Sequence, residues 1–143
     1  MTQEEKDLLL KDLCARLPYG VKGEKYTIRI DEEFVPLIDV EIIIAEDIIT
    51  LNGCPGYMIK PYLFPLSSMT EEQYKEWSDL AEEPLDEILT RNANGKKMST
   101  LEHHLLIAKS LTDPVNYCYK NHFDIYGLIP MGLANDATNK NIY

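Results

Sequence analysis

Near Lys60 the hydrophobic period of this chain changes from strand-like to helical, and the change limits what the chain can build. Before it, "EKYTIRI" sets Tyr26, Ile28 and Ile30 against Thr27 and Arg29, the alternation of a strand with one dry and one wet face. "FVPLIDVEIII" is rich in β-branched residues, and its Pro36, with no N–H for a ladder, is confined to an edge, a bulge or a strand start. "EDIITLNG" reads as another strand closed by an Asn-Gly turn, and "GYMIK" follows. After Lys60 the period is helical. "TEEQYKEWSDLAEE" opens behind Ser68 or Thr70 as cap, with Tyr74, Trp77, Leu80 and Ala81 in a stripe. Pro84 either kinks this helix or starts the next one, "LDEIL". A further helix begins at "STLE", where Ser99 and Glu102 have capping-box spacing and Leu101, Leu105, Ala108 and Leu111 share a face. "TDP" ends it and caps a last helix, "PVNYCYKNH".

Ahead of the strands, Thr2 and Glu5 are spaced as a capping box, and Leu9, Leu10, Leu13, Cys14 and Leu17 recur at helical spacing until Pro18 stops them. The expected fold is therefore α+β: an N-terminal helix, a small antiparallel sheet or partly closed barrel of four to five strands, and a C-terminal helical half. A length of 143 residues suits one domain, placed at residues 1–134, with the polar residues 135–143 as a mobile tail. Two segments punctuate it, Leu17-Pro18-Tyr19-Gly20-Val21 and Ile129-Pro130-Met131-Gly132-Leu133. In each, proline presets one turn dihedral and glycine accepts a conformation that side chains resist, so both read as rigid turns between buried aliphatics. They are expected to lie close together, with the first helix against the C-terminal block.

The blocks "EEKDLLLKDLCARLPYGV", "IKPYLFPLSSMTEEQ" and "NHFDIYGLIPMGLA" resemble blocks shared by a group of small uncharacterised proteins from gut bacteroidete bacteria and their phages. The resemblance covers roughly a third of the chain. It implies a mobile or phage-encoded accessory protein, with a role against host defence as the guess that context suggests, and it assigns no reaction or catalytic residue.

Charge narrows the partners. The net charge is −10, residues 31–47 hold seven carboxylates and no Lys or Arg, and residues 71–87 hold eight against the single Lys75. Such stretches repel a phosphate backbone, which argues against nonspecific nucleic-acid binding. No apolar run approaches the roughly 18 residues of a membrane span, and three scattered cysteines, Cys14, Cys54 and Cys118, fit a reducing cytoplasm better than a disulfide scaffold. No Cys or His spacing suggests a metal site: His103 and His104 are adjacent, and so diverge by about 100° around a helix, while His122 is remote. No cofactor is implied. There is no G-x-S-x-G elbow, and Cys54, in "NGCPG", is the one thiol worth testing as a nucleophile.

Local ligand-binding physics is concentrated in "NANGKKMST", residues 92–100. Lys96 and Lys97 supply positive charge, and Ser99 or Thr100 opens a helix whose first amides lack intrahelical partners, an arrangement that favours an anion. It lacks the spacing of a Walker loop. Lys96, Lys97, Ser99 and Thr100 are thus the candidate site residues. The expected function is a non-enzymatic binding protein that sequesters a small anionic or nucleotide ligand or blocks a host protein; the rival is a small hydrolase using Cys54 or a histidine. Phe34, Val35, Leu37 and Ile38 beside an edge proline, together with "PYLF", suggest apolar surface to spare and hence a homodimer or higher homo-oligomer.

Overall fold

A computed structural model describes residues 1–28, 34–95 and 99–143, with backbone alone at residues 28 and 34–39. The fold is α+β. Helix α1 spans Gln3–Arg16, strands β1 and β2 span Lys22–Ile28 and Phe34–Ile42, helix α2 spans Ala45–Gly53 and strand β3 spans Tyr57–Leu63. Helices α3 (Glu71–Ala93) and α4 (Thr100–Lys120) follow, and a two-residue strand β4, Asn135–Asp136, comes last. The sequence reads as one domain; the described residues group into two compact units, residues 1–68 with 122–143, and residues 69–121.

In the first unit the sheet is open and mixed, in the order β2-β1-β3-β4. β1 runs antiparallel to β2 and β3, whereas β4 pairs with β3 in parallel, Tyr62 opposite Asn135 and Leu63 opposite Asp136. Four strands in an open sheet fall within the expected four to five; the difference is that the sheet is mixed and not wholly antiparallel, the parallel strand coming from the C-terminal end of the chain. Pro36 sits on edge strand β2 opposite Tyr26, where its missing N–H costs no ladder bond in the sheet interior.

One element differs in kind. "EDIITLNG" is helix α2 and not a strand. The Asp47 carboxylate accepts the backbone N–H of Ile44 at 2.9 Å, capping the helix start, and Ile48 and Leu51 turn toward the core while Ile49 faces solvent. Lys25 and Tyr57 hold that carboxylate from the sheet, at 2.9 and 3.1 Å. These tertiary contacts override the β preference of the paired isoleucines. The "PYLF" block is likewise not spare surface: Pro61, Tyr62 and Leu63 are buried and Phe64 is half-buried.

The two proline-glycine segments form the same turn. Gly20 N–H donates to the Leu17 carbonyl at 3.4 Å and Gly132 N–H to the Ile129 carbonyl at 3.0 Å, with φ of 66° and 74°. Both glycines occupy the left-handed region that a side chain would strain. The aliphatics beside the turns, Leu17, Val21, Ile129 and Leu133, meet in one core with Leu9 and Leu13 of α1. Beyond the second turn the tail makes definite contacts. Ala137 is buried, its N–H donates to the Leu63 carbonyl at 2.8 Å, and the Tyr143 hydroxyl donates to the Tyr62 carbonyl at 2.8 Å.

The second unit is an antiparallel pair of helices, fastened by Arg91 to Glu102 at one end and by Tyr117 to Glu76 at the other. Thr70 and Gln73 form the capping box of α3. Both helices run through their prolines: Pro84 lies inside α3 and does not start a new helix, and the break expected at "TDP" is corrected. Each ring lies on its helix's buried stripe, Pro84 with Ile88 and Pro114 with Ser110 and Cys118, so the apolar phase continues past the lost hydrogen bond.

The buried face of α1 is Leu9, Asp12, Leu13 and Arg16, half of it ionic. Asp12 and Arg16 are both fully buried and paired twice, at 2.7 and 2.9 Å, and Arg16 Nη2 donates to the Phe123 carbonyl at 2.6 Å. Replacing Asp12→Ala strands a buried guanidinium and should cost about 3–5 kcal/mol in urea-unfolding experiments. The apolar pair Asp12→Leu with Arg16→Met should be less destabilised than either single change, because it removes both desolvated charges together.

Candidate functional site

Of the four residues read as an anion site, Ser99 and Thr100 lie among the described residues, while Lys96 and Lys97 do not. Ser99 is the N-cap of α4, its hydroxyl accepting the Glu102 N–H at 3.2 Å. The Glu102 carboxylate does not complete the box; it bonds Arg91 at 2.6 Å, and Arg91 also pairs with Glu87 at 2.9 Å. Thr100 is exposed on the first turn. Cys14 and Cys54 are exposed in the first unit, Cys118 is buried in the second, and His103 and His104 stand side by side on α4. Among the described residues, no group of three or more His, Cys, Asp or Glu side chains is placed to hold a metal.

The structure assembles a different concavity, in the first unit. Strand alternation and register put Glu24, Tyr26, Met58, Lys60 and Tyr62 on one sheet face, with Glu24 opposite Lys60 and Tyr26 opposite Met58. A groove of about 420 Å³ opens there, lined by Tyr26, Met58 and Lys60 from the sheet, Met1 and Glu5 from the α1 end, and Met131 to Leu133 from the second turn. Its polar groups are not equivalent. Glu5 accepts the Thr2 N–H at 2.7 Å in the α1 capping box. The Tyr26 and Tyr62 hydroxyls both donate to Glu24, and desolvation together with that carboxylate pushes the Tyr62 phenol up to about 12. Lys60 has no ion-pair partner among the described residues, and among them it is the one Lys or Arg side chain lining the groove, across the strands from Glu24. The sequence reading missed these residues because they come from four distant stretches. The signal was present only in part: two of the stretches, "IKPY" and "IPMG", stand out as blocks without announcing that they meet.

Behind the second turn lies a buried polar cluster. Asp124 accepts the N–H groups of Leu128 and Ile129 at 2.8 and 2.9 Å, fixing the approach to the turn. His122 holds a left-handed backbone, φ 62°, with its ring stacked on Tyr143 at 3.7 Å and 8°. Its Nδ1 is buried without a hydrogen-bond partner. Desolvation first, then the nearby charges of Arg16 and Lys22, lower its pKa to about 4, so the ring is neutral at pH 7. The arrangement is a clamp: Lys22 N–H donates to the Tyr143 hydroxyl at 3.1 Å, and Lys22 Nζ to the Ile142 carbonyl at 2.8 Å.

No protein-family model, curated protein or solved structure matches this chain.

The clamp makes stability depend on pH with a definite sign. Between about 4 and 6.5 the unfolded chain binds a proton at residue 122 that the folded one refuses, so this contribution is complete above pH 6.5 and is lost as pH falls toward 4. The slope is at most about 1.4 kcal/mol per pH unit. A His122→Asn variant, which tolerates the same backbone, should be less stable at pH 7.5 and should lack this part of the acid dependence when urea midpoints are compared from pH 7.5 to 4.5.

Proposed function

We propose that the chain is a non-enzymatic binding protein whose groove takes a small anionic ligand with an apolar body. The observation that carries this is a Lys60 side chain without an ion-pair partner among the described residues, beside walls made of Met1, Met58 and Met131. Methionine side chains are unbranched and polarizable, so they adapt to an apolar body, while a half-buried ammonium fixes one carboxylate or phosphate at the end of it. The volume falls in the range of small-molecule sites, about 300–1,000 Å³. A nucleoside monophosphate fits this description, with its base among the methionines and Tyr26.

The cellular reading rests on context. Blocks resembling those of gut bacteroidete bacteria and their phages support an accessory protein that sequesters such a ligand from a host, with an anti-defence role as its purpose. Three cysteines without a disulfide support a cytoplasmic setting, and among the described residues no helix is long and apolar enough to cross a membrane.

Methionine-methyl NMR resolves the question, because the five methionines report separately. Titration with adenosine monophosphate should shift the Met58 and Met131 methyls and leave Met69 in place. Lys60→Glu should weaken binding about tenfold to a hundredfold, the range for losing a charged hydrogen bond. Lys96→Glu with Lys97→Glu should leave it unchanged; the opposite ranking moves the anion site to residues 92–100. Phosphorus spectra showing turnover, or methyls that respond to neither this nucleotide nor an aromatic carboxylate, overturn the proposal.

A further inference from the structure

The segment after β4 is held to the first unit at its two ends and at few points between. Ala137 is buried and its N–H bonds the Leu63 carbonyl, whereas Thr138 to Asn141 are exposed. The far end is fastened by Tyr143, whose hydroxyl stands between the Lys22 N–H and the Tyr62 carbonyl at 3.1 and 2.8 Å. It thereby bridges β1 and β3 just beyond their last ladder pair, Gly23 with Pro61. Its ring lies flat on the imidazole of His122 and 6.0 Å from the ring of Phe64, and Lys22 Nζ holds the neighbouring Ile142 carbonyl. Backbone strain opposes this closure: among the described non-glycine residues the left-handed region is taken by His122, Asn139 and Asn141, at φ of 62°, 60° and 49°.

We propose that residues 138–143 form an acid-released strap, hinged at Ala137, which lies closed while His122 is neutral and lifts when that ring is protonated, the rest of the first unit staying folded. The covered ring is 8% exposed, and its Nδ1 has no partner. Arg16 of α1 and Lys22 of β1 both oppose a further positive charge there. The carboxylates of the neighbourhood are committed, Asp12 to Arg16 and Asp124 to the Leu128 and Ile129 amides. On the segment itself Asp136 accepts the Thr138 N–H, and Lys140 lies over the Tyr62 ring. An imidazolium in the closed clamp thus meets repulsion and lacks an acceptor, whereas water solvates it once Tyr143 lifts away. The sign follows: the ring titrates near 6.5 in water and near 4 under the strap, so closure is complete above pH 6.5 and is lost as pH falls toward 4. Between pH 7.5 and 5 the ratio of open to closed strap rises about 30-fold. A segment with so few buried contacts opens by itself, without loss of the core.

Nitrogen-15 relaxation and histidine ring titration on the full chain test this together. The amides of residues 138–143 should be ordered at pH 7.5 and lose order by pH 4.5, while those of Leu9, Leu13 and Leu63 keep theirs. His122→Asn retains the left-handed backbone and Asp12, whose own pKa burial raises, but has no ring to protonate, so the order of its strap should not change with pH. In Tyr143→Ala the His122 ring should titrate at least one pH unit nearer 6.5 than in the wild type, because strap and ring report on one equilibrium. A strap whose order is the same at both pH values, a loss of order shared by α1 or by His122→Asn, or a His122 titration that Tyr143→Ala leaves in place each overturns the inference.

Discussion

The first unit depends on one ion pair taken out of water. Asp12 and Arg16 occupy adjacent turns on the buried face of α1, and the guanidinium reaches across to the carbonyl of Phe123. Desolvating two charges is costly, and their attraction offsets the cost only where geometry is good and further hydrogen bonds are made. The double contact and the Phe123 carbonyl meet that condition. Burial raises the Asp12 pKa, opposed by the hydrogen bond and charge of Arg16 and reinforced by nearby Asp124. Through the pair, α1 is tied to the segment that carries Phe123, a directional contact a leucine does not make. From Phe123 the order passes to Asp124, which holds the Leu128 and Ile129 amides, and from there to the second proline-glycine turn and a groove wall.

Local chemistry was legible where side chain and backbone settle the matter within a few residues. The Thr2 and Thr70 caps, the paired turns at Gly20 and Gly132 and the edge position of Pro36 all follow from hydroxyl, carboxylate, glycine and proline geometry. Legibility failed where distant groups decide. Nothing within "EDIITLNG" says that Lys25 and Tyr57 will hold Asp47, and without them the β-branched pattern reads as a strand. The α1 stripe was assigned Leu10 and Cys14; Leu10 does pack against the core, but Cys14 is exposed and Asp12 and Arg16 are buried on that helix instead. The polar composition of 135–143 likewise conceals one tyrosine that stacks on His122 and bonds two backbone groups.

The candidate site divides along the same line. Residues 92–100 carry their anion-binding features locally, which is why they stood out, and Ser99 behaves as the helix cap that its identity and position suggest. The groove has no local signature. Met58 and Lys60 are two residues apart on β3, but Glu5 and Met131 come from opposite ends of the chain. They meet because the sheet admits a parallel C-terminal strand beside β3 and because two like turns share a core. The Tyr26–Glu24–Tyr62 group is polar too, but its carboxylate repels an anion. Lys60 lies across the strands from that carboxylate, and Glu5 lines the groove beside it.

The helical unit poses an opposite problem of stability. Its buried stripes are narrow and each includes a proline, Pro84 or Pro114, whose missing N–H weakens the helix that carries it. Two helices have one mutual interface, whereas helical bundles gain stability by surrounding an apolar centre from several sides. Leucines left outside that single interface add nothing to the monomer and enlarge its exposed apolar area.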